Sequence, residues 1–206
     1  MTGLDHLVLA TPDLPESVAT VTRLLGVAPV PGGRHVGRGT RNFLLGLGDG
    51  AYLELIGPDD DQPAPAFPRP FGIDGLTESR LLTWAARVND IGGAVAEARA
   101  AGYDPGDASE MSRDTPDGQV LRWRLTLSRD GSHTGVIPFL IDWGATAHPS
   151  VSLPQVNLRA FEVTHPNPAA ISTQLRALSI DLTVRPGLRP ALIATLDGPS
   201  GALTLL

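Results

Sequence analysis

The feature that most constrains this chain is a repeat. Residues 4–10, LDHLVLA, have the pattern of an apolar strand, and Thr11 or Asp13 can cap a helix after it. That helix is expected over 15–25, where Val18, Val21, Leu24 and Leu25 recur at helical spacing before Gly26 stops it. A short strand at 27–30 and a hairpin of 40–47 and 51–56, turned by Gly48-Asp49-Gly50, complete the order β-α-β-β-β. The order then recurs. A strand at 81–88 leads to a helix at 90–101, ended by Gly102, and an irregular stretch at 103–118 has room for a strand. Strands at 119–128 and 135–143 come next, joined by a turn over 130–133. A third pass after Pro154 has a strand at 158–164, a helix at 168–178, and strands near 181–185, 191–196 and 202–206. Units this short cannot each bury their own sheet face, so they must pair.

The expected fold is therefore α+β: two β-α-β-β-β units, 1–58 and 80–145, paired into a curved mixed sheet, with a third unit at 155–206 packed against them. Residues 59–79 are a linker too rich in proline and acid to join the sheet, although Phe67 and Phe71 could pin it to the surface. Composition removes several function classes. A net charge of −6 with no basic run argues against nucleic acid. No apolar run is long enough to cross a membrane, and the start lacks a basic segment followed by an apolar one, so a cytoplasmic protein without membrane partners is expected. Cysteine is absent, which excludes disulfides and thiolate chemistry and leaves His, Asp and Glu as metal ligands.

Within the repeat, one carboxylate sits in an apolar strand: Glu54 in AYLELIGP. Strand alternation puts Tyr52, Glu54 and Ile56 on one face and Leu53 and Leu55 on the other. A helix over the leucine face leaves Glu54 aimed into whatever the sheet encloses, where it needs a cation, a donor or water. Thr40 and Asn42 alternate onto one face with Leu44. His35 lies in a glycine-rich loop that could bend it inward, although a simple turn histidine is the plainer reading. In QVLRWRL, Leu121, Trp123, Leu125 and Leu127 share one face and suit helix cover; Arg122 and Arg124 share the other. If that second face is the cup, its guanidiniums favour an anionic ligand; the alternative is a solvated face. Trp84 is expected in the core or at the cup floor. His133, His148 and His165 sit in turns, and no serine nucleophile elbow is present.

A duplicated β-α-β-β-β unit with His6 on its first strand and Glu54 on its fourth resembles the vicinal oxygen chelate superfamily, which includes glyoxalase I, extradiol dioxygenases and bleomycin resistance proteins. GGRHVGRGTRNFLLGLGDGAYLELIGP together with IPFLIDWG looks more narrowly like the glyoxalase-like domain family. The resemblance implies a cup in which imidazole and carboxylate hold a divalent ion with open positions for substrate oxygens. His6 and Glu54 match half of that ligand set. The second unit departs from it: Leu82, Thr83 or Trp84 stands opposite His6, and Ile141 opposite Glu54, with Asp142 on the other face. His6 is therefore either a metal ligand or a pocket histidine bonded to Glu54 or a carbonyl. No cofactor is expected, though a divalent metal is compatible with the pattern. The expected role is binding or transforming a small, oxygen-rich, anionic molecule, with Glu54 and His6 at the base of the cup and His35, Thr40, Asn42, Trp84, Arg122 and Arg124 around it. The alternative is a non-catalytic, drug-sequestering protein; a homodimer fits either.

Overall fold

The computed structural model describes residues 2–115, 117–127 and 135–206. The first unit is β1 (Gly3–Ala10), α1 (Leu14–Leu25), β2 (Val30–His35), β3 (Thr40–Gly48) and β4 (Ala51–Pro58). The second is β5 (Arg80–Arg87), α2 (Ile91–Ala100), β6 (Asp107–Asp114), β7 (Val120–Leu127) and β8 (Phe139–Asp142). The third is β9 (Asn157–His165), α3 (Pro168–Ala177), β10 (Val184–Pro186), β11 (Ala191–Gly198) and β12 (Gly201–Leu205).

Local chemistry sets the helix ends. Asp13 accepts the Glu16 N–H at 3.0 Å and Pro15 occupies the first turn of α1, where its missing N–H costs nothing. Gly26 closes the helix at φ 74°, a left-handed position that suits glycine. Asp90 and Asn167 cap α2 and α3 in the same way, each through a backbone N–H three residues on.

The first eight strands close into a barrel in the order β1-β4-β3-β2-β6-β7-β8-β5. Each unit contributes four consecutive strands of that ring. One seam is the long antiparallel pairing of β1 with β5; the other is a single pair between β2 and β6, Arg34 opposite Asp114. The second seam explains why the glycine-rich stretch expected to be a loop is strand β2, paired to β3 along its length. Gly33, at φ 147°, lies so close to the Asp114 carbonyl that any side chain there would collide with it.

The outward faces of the barrel build the core. Leu7, Leu9, Leu53 and Leu55 pack with Leu14, Val21 and Leu25 of α1, and Leu140 with Ile91, Val95 and Ala98 of α2, in one continuous cluster. Fully burying each such side chain contributes roughly 1.5–3 kcal/mol. The third unit joins this cluster through Val163, Leu175, Leu192, Leu196 and Leu205. Its own four-stranded sheet, in the order β10-β9-β11-β12, stays outside the ring. The Ser200 N–H donates to the Leu25 carbonyl at 3.2 Å, so the β11–β12 turn also seals the end of α1.

The irregular stretch at 103–118 holds the strand it had room for, β6, within a polar sequence. Other expectations need correction. The strand expected over 135–143 is only Phe139–Asp142. The turn over 130–133, with His133, lies outside the described residues. Phe71 packs beside a buried cluster of Val8, Ala10, Ile56 and Ile73, but Phe67 is 81% exposed and pins nothing. Trp84 does not floor the cup. Register places it opposite Leu7, on the outer face, where its indole N–H donates to the Val136 carbonyl at 2.9 Å and its ring meets Phe161 edge-on. No helix among the described residues is long and apolar enough to cross a membrane.

Candidate active site in the barrel

The barrel encloses a cavity of about 260 Å³. Strand alternation decides what lines it. From the first unit come His6, His35, Thr40, Asn42, Tyr52, Glu54 and Ile56. The second supplies Met111, Arg113, Trp123, Leu125, Phe139, Ile141 and Trp143. Pro70 and Phe71 of the linker reach the same space.

Glu54 is the polar centre. It is 8% exposed, and its Oε1 accepts a 2.5 Å hydrogen bond from Asn42 Nδ2. Its Oε2 lies 3.7 Å from His6 Nε2, and Oε1 lies 3.9 Å from His35 Nε2. His35 Nδ1 is 3.1 Å from the Thr40 hydroxyl. Burial holds the His35 pKa below its ordinary value; Glu54 pulls it up, and Arg113 and Arg38 push it down.

His6 is oriented from behind by Asp5. Register shifts between Leu4 and His6, so Asp5 is the extra residue of a β-bulge, and both Asp5 and His6 are buried. Asp5 accepts from His6 Nδ1 at 2.7 Å, Arg87 Nε at 2.7 Å, His148 Nε2 at 3.0 Å and Trp143 Nε1 at 3.1 Å. Burial by itself raises its pKa, but the bonds and charges of His148 and His6 outweigh that and hold it well below the usual carboxylate range. Because Asp5 is an acceptor, His6 carries its hydrogen on Nδ1 and turns Nε2 toward Glu54. The His6 ring also stacks on Tyr52, with centroids 4.7 Å apart. Burial, then the charges of Asp5 and Glu54, raises the Tyr52 pKa well above its ordinary value, so the phenol stays neutral. His148 Nδ1 also meets the Ser150 hydroxyl at 2.7 Å, but Ser150 does not line the cavity, and the contact closes a short local turn.

The buried cation in this cavity is Arg113, which sequence reasoning missed; Arg38 lines it from an exposed position. Arg113 is 5% exposed, and its Nη1 has no hydrogen-bond partner among the described residues. Asn42 Oδ1 is likewise without one. Both atoms flank Gly32, where any side chain would strike them. Burial lowers the Arg113 pKa, partly offset by Tyr52 and Glu54. Its only sequence signal is the alternation of Ser109, Met111 and Arg113 within a polar stretch.

Arg122 and Arg124, expected in the cup, point the other way. Trp123 and Leu125 line the cavity, while both arginines are exposed and Arg124 donates to Asp142 at 2.8 Å. The reason is energetic: burying two guanidiniums is costly without paired carboxylates, whereas indole and leucine gain from burial. Asp142 is outward as expected; it also accepts the Ile91 N–H at the start of α2.

The donors do not fit a divalent ion. Two ligands, His6 and Glu54, are too few. Among the described residues no group of three or more His, Asp or Glu is placed to hold one. Ile141 and Trp123 occupy the second unit's inward positions, and Arg113 already brings positive charge to the cavity.

Comparison with known proteins agrees with this architecture. A family model described as a glyoxalase-like domain matches residues 4–179. A search of curated proteins gives no match. Among solved structures, a hypothetical protein from Staphylococcus aureus is similar at 14% identity and a TM-score of 0.68, over 94% of this chain and 91% of that one. At that identity the likeness concerns the fold. Methylmalonyl-CoA epimerase from Mycobacterium tuberculosis aligns at 21% identity over 68% of this chain and 87% of its own, with a TM-score of 0.44, too slight a likeness to carry anything over. With the family model spanning both barrel units, the chain belongs to the glyoxalase-like domain family.

Proposed function

We propose that the cavity binds a small, oxygen-rich anion and that Glu54 exchanges a proton with it. The observation that carries this reading is the pairing of two buried charges in one cavity: Glu54, with Oε1 taken by Asn42, and Arg113, whose Nη1 has no partner among the described residues. A carboxylate on the ligand offsets the Arg113 charge, which is otherwise costly to bury. Oε2 of Glu54, beside His6 Nε2, is left to meet a hydroxyl or a carbon acid of the ligand. Asn42 steadies the carboxylate, and Asp5 steadies His6. The reading uses no metal; a stoichiometric ion that survives dialysis would instead make ligands of Glu54 and His6.

The test is proton exchange. 2-Oxo and 2-hydroxy acids are incubated with the protein in heavy water and followed by NMR. Wild type should wash deuterium into the carbon next to the carbonyl or hydroxyl, and Glu54→Gln should not. Binding without exchange in the wild type would assign the cavity to sequestration rather than turnover.

A further inference from the structure

The two walls of the cavity differ in chemistry, and the difference specifies the body of the ligand as well as its charge. Polar groups gather on the first unit's side. Across from them stand Met111, Trp123, Leu125, Phe139, Ile141 and Trp143, with Arg113 the buried charge among them and Glu110 and Ser112 at the exposed rim. Trp123 and Trp143 lie 5.3 Å apart at a 38° tilt, and Phe139 meets His6 edge-on at 5.6 Å. Rings set this way offer faces and edges to another ring. Met111 adds an adaptable thioether beside them.

Size narrows the choice. An apolar cavity of about 150 Å³ takes up benzene. The space here, about 260 Å³, holds a ring of that size with a short polar chain. It falls below the roughly 300 Å³ at which drug-sized sites begin, so the part of a ligand held inside it is small. A pyruvate-sized acid would satisfy Arg113 and Glu54 and leave the aromatic wall in contact with water.

The geometry points to an aromatic acid as the ligand: a planar ring against Trp123 and Phe139, joined by two or three carbons to a carboxylate at Arg113, with a carbonyl or hydroxyl toward Glu54. This rests on the anion reading above, and the experiment separates the two. Dissociation constants are measured by calorimetry for phenylpyruvate, phenyllactate, pyruvate, lactate and the neutral ketone phenylacetone. The ring-bearing acids should bind roughly 30-fold or more tighter than their ring-free counterparts, as expected from burying a phenyl group. Trp123→Leu should shrink that ratio several-fold. Equal affinity for pyruvate and phenylpyruvate overturns the ring assignment and leaves the anion reading standing. Equal affinity for phenylacetone and phenylpyruvate overturns the anion reading and keeps the ring. Binding of none of the five by the wild type overturns both, and the wild-type panel decides this even if the variant does not fold.

Discussion

The first and second barrel units share one backbone plan and put unlike side chains on the same positions. On β4 the inward residues are Tyr52, Glu54 and Ile56; on β8 they are Phe139 and Ile141, with Trp143 just beyond the strand. On β3 they include Thr40 and Asn42; on β7, Trp123 and Leu125. The outward faces changed less. Leu53 and Leu55 pack under α1 as Leu140 packs under α2. Outward positions must bury against a helix to hold the fold, so they stay apolar. Inward positions face a cavity, and a duplicated unit can keep donors and charges on one wall while the other becomes a ring of hydrophobes. Asp5, from the first unit, ties the two together by taking donors from Arg87 and Trp143 of the second.

That junction gives the largest expected effect. Asp5→Ala leaves four buried or half-buried donors without their acceptor, and losing one partner of such a network costs about 3–5 kcal/mol. Chemical denaturation should report a loss of that size. A loss under about 1 kcal/mol, the scale of an exposed pair, would mean that the two units do not depend on this contact.

Arg113 is the buried charged group on the largely apolar wall, and it tests the contrast directly. Arg113→Met should weaken binding of carboxylic acids by roughly 30-fold or more, as when a charge-assisted partner is lost in a desolvated site. Stability should hold or rise, because an unpaired buried charge is removed. Calorimetry and thermal melting, run together, separate the outcomes. Unchanged acid affinity would return the second wall to a purely apolar role.

On the polar wall, His35 predicts a pH dependence. Its folded pKa is held below the ordinary 6.5, so above pH 6.5 both folded and unfolded forms are neutral and its contribution is fully present. As pH falls below 6.5, the unfolded chain takes up the proton first, and stability declines toward the lower folded pKa. Melting temperature followed from about pH 7.5 downward should show this decline in wild type. His35→Asn should lack it; an identical profile would sink the assignment. The smallest effect belongs to the outer face of the second wall. Arg124→Ala removes a half-exposed guanidinium from the buried Asp142, whose carboxylate still accepts the Ile91 and Gly144 N–H groups, and should change stability by less than about 1 kcal/mol, with ligand affinity untouched.

Much of this protein was open to reading from sequence alone. Periodicity in α1, the Gly48-Asp49-Gly50 turn, and the recurrence of the β-α-β-β-β order require only local chemistry, and they suffice for the repeat and the family. Glu54 was legible because a lone carboxylate in an apolar strand has few places to go, and Asn42 and Thr40 came from the same alternation. What local pattern could not supply was which face of a given strand turns inward. β7 alternates cleanly, but alternation has no sign: only the wrapped barrel puts Trp123 inside and leaves Arg124 outside with Asp142. β6 was obscured because a polar strand has no hydrophobic period, and so Arg113 went unseen until pairing with β7 fixed its register. Asp5, His148 and Trp143 are far apart along the chain and meet only where a bulge and a ring closure bring them together. The sequence determined the elements and their repetition; tertiary structure decided their sidedness and long-range partners, because burial and charge pairing are settled only when the whole ring closes.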